Sequence, residues 1–170
     1  LTRSNWSDIN PDIFGTIFQG IVDPSKRDER GMDYTSVPNI MKVIRPLFLD
    51  ELEEEFEKII EGDILPKTKI ERLQKLWERI SKIKIFDPAC GSGNFLIITY
   101  KKLRELENNI IESLNVLSVS GISVKVDSQI KLENFFGIEI DDFAYELAIL
   151  SLYIAAHQMN IEFEKKFGKK

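Results

Sequence analysis

The sequence predicts an α/β protein in which a helical segment precedes parallel strands that alternate with long helices. Apolar residues recur at helical spacing through much of residues 1–82, whereas two short apolar runs, at residues 83–86 and 135–140, each precede a long helical pattern. The order strand–helix–strand–helix implies parallel strands joined by a right-handed crossover. We therefore divide the chain into a helical segment, residues 1–82, and an α/β domain, residues 83–170.

The first predicted helix spans residues 10–22. Its isoleucines and phenylalanines fall four residues apart and form one apolar face, while Asn10 and Pro11 suit the N-cap and the first helical position. Residues 23–31 are polar and charged, which is typical of a loop. Residues 31–36 continue this loop to the start of the next helix.

Three further helices are predicted before the first strand. One begins near Val37, and Pro46 should kink or divide it because proline lacks an N–H and its ring crowds the preceding turn. Residues 50–61 carry seven acidic residues and one lysine beside an apolar stripe, which indicates a helix with a solvated face. The third helix, near residues 69–82, places its apolar residues on one side.

The second half of the chain alternates between short apolar runs and long helical patterns. Helices are predicted at residues 94–114 and 142–159, each after a strand candidate and its loop. The later helix is expected to have one apolar face, formed by Tyr145, Ala148, Ile149, Leu152 and Ala156. Residues 117–132 are compatible with a hairpin and equally with a poorly ordered connection.

The composition is typical of a soluble globular protein, with 43% hydrophobic and 30% charged residues among 170. No apolar run is long enough to span a membrane and no leader resembles a signal peptide, so we expect a cytoplasmic protein. The single cysteine, Cys90, excludes an internal disulfide, and the lack of a Cys/His cluster argues against a zinc site. The net charge of −5 indicates that any main DNA-binding surface lies elsewhere.

Residues 87–96, DPACGSGNFL, follow the first strand candidate and open the long helix. Gly91 and Gly93 can adopt conformations closed to other residues and let a ligand approach the backbone. The helix that starts near Asn94 offers unpaired N–H groups and a partial positive charge, which favour a carboxylate or phosphate. Asp87 can accept a hydrogen bond from an ammonium group. The pattern therefore indicates a site for a ligand that carries both charged groups, such as an amino-acid moiety.

A second acidic residue, Glu139, follows the second strand candidate. In doubly wound sheets an acid at this position commonly binds the vicinal hydroxyls of a ribose, and Ile140 would offer an apolar surface to a base. The alternative is that Glu139 or Asp141 only caps the following helix. A dinucleotide site fits less well, because GxGxxG would need glycine where Leu96 stands and an acid about 20 residues further on.

Several stretches carry a resemblance to a known family. DPACGSGNFL is similar to the S-adenosylmethionine-binding motif of DNA adenine-N6 methyltransferases, and FFGIEIDDFAYELA resembles their second motif. FGTIFQGIVDP and RGMDYTS resemble the element that precedes the first motif in the gamma arrangement of these enzymes. With SLYIAAHQMN, the similarity is greatest to the MmeI-like type IIG restriction–modification enzymes. The resemblance implies an N-terminal helical segment followed by the first part of a Rossmann-like class I methyltransferase fold, with an incomplete sheet.

The resemblance also implies which residues bind S-adenosylmethionine. Tyr34 and Thr35 would contact its methionine end, although Ser36 stands where the family usually has proline. Glu139 would bind the ribose hydroxyls, and Ile140 would pack on the adenine. The implied cofactor-binding set is Tyr34, Thr35, Asp87, Pro88, Ala89, Gly91, Gly93, Asn94, Phe95, Glu139 and Ile140.

Other candidate residues are assigned to packing. Cys90 is interpreted as a small packing residue, since the only histidine, His157, lies in a different helical segment and is itself assigned to the surface or to packing. No metal ligand and no catalytic residue is assigned. The aromatic residues assigned to the core are Phe14, Phe18, Trp77 and Phe136.

The sequence contains no (N/D)PP(Y/F) motif, which in the family receives the target adenine. We therefore expect a fragment, inactive alone, of a DNA adenine-N6 methyltransferase from a restriction–modification or phage-defence system. DNA would bind to parts of the full-length protein outside it. An unpaired strand edge and an uncovered apolar face would favour self-association. The alternatives are a methyltransferase acting on RNA, protein or a small molecule, and a non-catalytic methyltransferase-like interaction domain.

Overall fold

The structure, a computed structural model, describes residues 35–118 and 127–168. The elements in these ranges are α1 (Val37–Ile44), a π-helical turn (Arg45–Leu49), α2 (Asp50–Glu61), α3 (Pro66–Ser81), β1 (Ile85–Asp87), α4 (Asn94–Leu117), a 3₁₀ turn (Leu132–Asn134), β2 (Phe135–Gly137) and α5 (Asp142–Phe167). None of these helices is both long and apolar enough to cross a membrane. The predicted helix at residues 10–22 and half of the ambiguous stretch at 117–132 lie outside the described residues.

Helix α1 continues through the π-helical turn into α2 without a break. The amide of Asp50 donates to the carbonyl of Arg45, five residues earlier, where an α-helix would use the carbonyl four residues earlier. The wider turn accommodates Pro46, which lacks an N–H and whose ring needs clearance from the preceding turn. The prediction that Pro46 kinks or divides the helix is therefore confirmed in that the α-helix is interrupted there, although the π-helical turn keeps the two helices continuous.

Helices α2 and α3 occur as predicted and pack against each other. Helix α3 begins at Pro66, three residues before the predicted start, because proline suits the first helical position. On the outer surface Arg79 donates to Glu51 and Glu55 of α2, so part of the acidic face is paired with α3. The α3 residues buried in the main core, with residues of α2, α4 and α5, are Leu73, Leu76 and Ile80.

The two strands pair in parallel, as predicted, with Ile85 opposite Phe135 and Asp87 opposite Gly137. Each strand is only three residues long, and the apolar residues that follow β2 belong to a loop. Helix α4 covers one face of the sheet. There the ring of Tyr100 meets the ring of Phe135 edge-on, with centroids 5.3 Å apart. This contact packs α4 against β2, the strand that follows it in the sequence.

The opposite face of the sheet is open within the described part of the chain. Phe86 is 57% exposed, and Phe136, its partner across the ladder, is 45% exposed. Paired residues of two strands point to the same side of the sheet, and α4 lies on the other side. The prediction that Phe136 lies in the core is therefore wrong. Trp77, which was predicted there as well, is half-buried and packs against the main core. The open face agrees with the uncovered apolar surface that the sequence predicts.

Helix α5 is longer than predicted and reaches Phe167. Tyr145 and Ile149, which the pattern places on its apolar face, are exposed. The first half of the buried stripe consists of small residues, because the start of α5 approaches the start of α4 closely: a Cβ on Gly93 would lie 3.1 Å from the Cβ of Ala148. The buried residues of α5 are Ala144, Ala148, Ser151, Ile154, Ala155, Met159 and Phe163.

Candidate functional site

The loop between β1 and α4, residues 88–93, turns on two glycines. Gly91 has a φ of 53° and Gly93 a φ of 84°. This left-handed conformation costs other residues about 1–2 kcal/mol. The amide of Gly93 donates to the carbonyl of Cys90 at 2.8 Å, which closes the turn just before α4 begins. The backbone therefore requires both glycines, in agreement with the sequence prediction.

Hydrogen bonds attach this loop to the ends of both strands. The amide of Ala89 donates to Oδ1 of Asp87 at 3.1 Å. The amide of Ile138 donates to the carbonyl of Asp87 at 3.0 Å, and the amide of Cys90 donates to the carbonyl of Ile138 at 3.0 Å. The loop thus continues the pairing of β1 with β2 for several residues beyond the strands themselves.

The carboxylate of Glu139 accepts three backbone hydrogen bonds at this edge of the sheet. Its Oε2 accepts from the amide of Gly91 at 2.8 Å, across 48 residues of sequence. Its Oε1 accepts from the amides of Ile140 at 2.8 Å and Asp141 at 2.9 Å. Glu139 therefore links the loop after β1 to the loop after β2, and these are the two segments that carry the predicted motifs.

The capping role that the sequence left open belongs to Asp141. Its Oδ1 accepts from the amides of Phe143 at 3.1 Å and Ala144 at 3.0 Å, which satisfies two donors of the first turn of α5. Glu139 lies before this cap and bonds outside the helix. The two acids therefore have separate roles, and Glu139 is not merely a helix cap.

The amino end of α4 is the third part of the site. Gly93 occupies its N-cap position and provides no side-chain cap, so the first turn can present backbone donors to a ligand. Asn94 is buried, and its Oδ1 has no hydrogen-bond partner in the described structure. Phe95 packs with Ile98 against α1. This packing connects the start of α4 to the helical segment.

Ten of the eleven predicted site residues are described, and Tyr34 lies outside the described residues. Thr35 is exposed just before α1, while Pro88 and Ala89 are exposed on the loop. Ile140 is 92% exposed next to Glu139. The predicted residues that hydrogen bonds or chain adjacency bring together around the loop are Asp87, Ala89, Gly91, Gly93, Asn94 and Glu139.

The Cys90 thiol is half-buried within the loop. Burial, and then the negative charges of Asp87 and Glu139, raise its pKa from 9.0 to about 11. The thiol is therefore protonated at neutral pH, which suits a packing residue and not a nucleophile. His157 is exposed on α5. In the described ranges no group of three or more His, Cys, Asp or Glu side chains is arranged to hold a metal ion.

Sequence reasoning missed one residue at the site, Gly137, and one buried acid further along α4, Glu107. Gly137 ends β2, and a Cβ there would lie 2.7 Å from the Cys90 Sγ. A glycine inside an apolar strand pattern signals a close approach, so FFGIE carried a usable clue. Glu107 is a fully buried acid of α4 that binds the segment leading to β2. Nothing in its local helical pattern distinguishes it from a surface glutamate.

Comparison with known proteins identifies the family. The family model described as the DNA-methyltransferase domain of MmeI matches residues 64–170. DNA methyltransferase A of Bacillus subtilis (strain 168) is 51% identical over 162 residues, which are 95% of this chain and 17% of that protein. A putative type II restriction enzyme and methyltransferase of Methanocaldococcus jannaschii is 25% identical over 172 residues, covering 87% of this chain and 14% of that protein.

A solved structure gives the same result. The type IIL restriction–modification enzyme MmeI, in complex with DNA, matches with a TM-score of 0.82 and 41% identity, over 95% of this chain and 21% of that chain. The present chain thus spans less than a quarter of each of these proteins. The resemblance seen in the motifs is confirmed. Because the family match covers more than half of the sequence, the chain belongs to the family of MmeI DNA-methyltransferase domains.

Proposed function

We propose that this chain is the S-adenosylmethionine-binding part of a DNA adenine-N6 methyltransferase in a restriction–modification or phage-defence system. The family match and the names of the relatives support the class of reaction. In this proposal residues 1–82 form a helical segment, and residues 83–170 begin a Rossmann-like domain whose other strands lie elsewhere in the complete protein. The protein works in the cytoplasm.

The hydrogen bond from the Gly91 amide to Glu139 is the observation that carries the proposal. It holds a carboxylate from the end of β2 beside the loop after β1, at the edge of a parallel sheet where nucleotides bind in related folds. A carboxylate offers about four acceptor positions, and Glu139 uses three of them on backbone amides. The remaining acceptor capacity of this half-buried side chain suits a ribose hydroxyl.

Groups for the two ends of the cofactor lie on either side of Glu139. The exposed Ile140 side chain offers an apolar surface to adenine. The amino end of α4 presents N–H groups to the carboxylate, and Asp87 can accept from the ammonium group. A ligand would also supply the missing partner for the buried Oδ1 of Asn94. The residues present therefore fit S-adenosylmethionine.

The chain's own residues bind and orient the cofactor, which supplies an electrophilic methyl group when bound. The (N/D)PP(Y/F) motif is absent from the sequence, so the groups that receive the target adenine are assigned to another part of the complete protein. DNA contact is assigned there as well, since a net charge of −5 does not favour a phosphate backbone.

Methyl transfer by the complete protein tests the proposal. With labelled S-adenosylmethionine and duplex DNA, we expect label in the DNA and, after digestion, in N6-methyladenine by mass spectrometry. The isolated 1–170 chain is the control and should transfer none. Label in RNA, protein or a small molecule would support the other methyltransferase classes. A complete protein that binds no cofactor would support the non-catalytic interaction domain.

A further inference from the structure

We propose that Gly137 and Cys90 form a positioning pair that sets the distance between the loop after β1 and Glu139, and thereby the cofactor affinity. This inference rests on the proposed function and adds Gly137 to the site. Gly137 ends β2 and lies opposite Asp87, the last residue of β1. It is therefore placed where the loop leaves one strand and crosses the end of the other.

The space above Gly137 is filled by the loop and by α4. A Cβ added at this position would lie 2.7 Å from the Sγ of Cys90, 3.1 Å from its Cβ and 3.3 Å from Cδ1 of Leu96. The 2.7 Å distance is shorter than real Cβ contacts, so the Sγ of Cys90 must move, whereas the other two atoms need give only a few tenths of an ångström. A side chain at position 137 therefore acts mainly by displacing the Cys90 thiol and the loop that carries it.

The requirement for glycine here comes from space and not from backbone conformation. The residues with positive φ in the described ranges are Gly91, Gly93 and Gly168. Gly137 is not one of them, so its backbone conformation is open to other residues. This property makes the position a clean test, because an alanine adds one methyl group without a left-handed backbone penalty.

Two hydrogen bonds flank this contact, and displacement of the loop would alter the site through both of them. The Cys90 amide donates to the Ile138 carbonyl at 3.0 Å, and the next amide, that of Gly91, donates to Glu139 at 2.8 Å. A side chain at position 137 that lifts Cys90 must lengthen both bonds. One ligand could then no longer contact both the loop and the Glu139 carboxylate.

Cofactor titration of the complete protein separates positioning from ordinary packing. We expect Gly137→Ala to weaken S-adenosylmethionine binding about tenfold or more. Cys90→Ala alone removes the contact without creating a clash and should weaken binding less than Gly137→Ala does, and the double variant should bind more tightly than Gly137→Ala because the Sγ has been removed. Gly168→Ala is the control for a methyl group added in open space: its positive φ should lower stability slightly, but the cofactor affinity should stay that of wild type. Equal affinity for Gly137→Ala and wild type, or a double variant no better than Gly137→Ala, would overturn the proposal.

The thiol provides a second measurement that needs no cofactor. Cys90 is the single cysteine of the 1–170 chain, so its reaction with a disulfide reagent reports the loop alone. We expect Gly137→Ala to react several-fold faster than wild type at the same pH, because the displaced thiol is less buried. An unchanged rate in a folded variant would contradict the pair.

These measurements distinguish failure of the pair from failure of the proposed function. If the wild-type complete protein binds no S-adenosylmethionine, the proposed function fails and the thiol rate alone decides whether Gly137 positions Cys90. If Gly137→Ala does not fold, the double variant must regain the native circular-dichroism spectrum. A double variant that also stays unfolded would overturn the pairing.

Discussion

Glu107 lies in α4, before β2 in the sequence, and Glu139 lies in the loop after β2. Each carboxylate accepts several hydrogen bonds. Glu107 accepts from the Trp77 indole of α3, from the Ser128 hydroxyl and from the Gln129 amide. It thereby joins α3, α4 and the segment that enters β2. Glu139 accepts from three backbone amides and joins the two loops that leave the sheet.

The two sites differ in burial and in charge compensation. Glu107 is 0% exposed and lies 3.3 Å from the guanidinium of Arg104, which is 1% exposed. Arg104 in turn donates to Tyr100 and Asn160, so charged and polar groups pair with one another inside the protein, although the Arg104 Nε itself makes no hydrogen bond. Glu139 is half-buried, and neutral amides hold it. A closed, buried cluster stabilises a fold, whereas an open carboxylate held by amides retains capacity for a ligand.

The largest effect is expected from Glu107→Ala. Removing this carboxylate leaves the Arg104 charge buried without its partner, which should lower the free energy of unfolding by about 3–5 kcal/mol. Glu105→Ala, on the exposed side of the same helix, removes only a surface pair with Lys102 and should cost about 1 kcal/mol or less. Urea denaturation checks both variants. Equal losses would show that the buried cluster adds nothing beyond a surface pair.

The next effect concerns the two glycines of the loop. Gly93→Ala combines a left-handed backbone with the contact against Ala148 and should cost about 2–5 kcal/mol. Gly91→Ala places alanine in the same left-handed backbone conformation, but its Cβ meets no atom within 4 Å. It should lower the free energy of unfolding by about 1–2 kcal/mol. Equal unfolding free energies would mean that the approach of α5 to α4 does not restrict the loop.

A smaller effect is expected at the helix cap beside Glu139. Asp141→Ala removes the acceptor for two amides of α5 and should cost about 1 kcal/mol of stability, whereas Asp141→Asn should retain most of it. Both Asp141 variants should bind the cofactor much more tightly than Glu139→Ala does. An Asp141→Ala variant that loses as much affinity as Glu139→Ala would contradict the separation of the two acids.

The last effect is confined to alkaline pH and concerns the Cys90 thiol. Its pKa in the fold is about 11, above the usual 9.0, so the folded state keeps a proton that the unfolded state releases between these values. Stability should therefore fall as the pH rises from about 9 to about 11 and should be unaffected by this group below pH 8. The alkylation rate measured against pH should have its midpoint near 11 in the native chain. A native midpoint near 9 would contradict this burial.

The sequence predicted the parts of the site that depend on local patterns. Asp87 and Glu139 were placed at adjacent strand ends because each follows an apolar run, and Gly91 and Gly93 were recognised as turn residues. The contact between Gly137 and Cys90 could not be predicted, since it depends on how closely the loop crosses a strand 47 residues later. The same limit applies to Glu107, whose partners come from three segments.

The buried faces of the helices also differ in how well the sequence predicts them. Helix α3 buries the leucines that its periodicity indicates, because large side chains dominate its packing. The start of α5 instead buries Ala144 and Ala148 and leaves Tyr145 and Ile149 exposed, since its close approach to Gly93 requires small side chains. Hydrophobic periodicity therefore places Ala148, Leu152 and Ala156 correctly against the core but misplaces the two large residues at the start of the helix.

Calorimetric titration of the complete protein with S-adenosylmethionine tests the central claim that Glu139 is a ligand-binding carboxylate. We expect Glu139→Ala to bind about tenfold more weakly or worse, a loss of about 1.4 kcal/mol or more. Glu146→Ala, which removes an exposed acid of α5, should match wild type. If the wild-type protein binds the cofactor and Glu139→Ala gives the same isotherm, the account is contradicted.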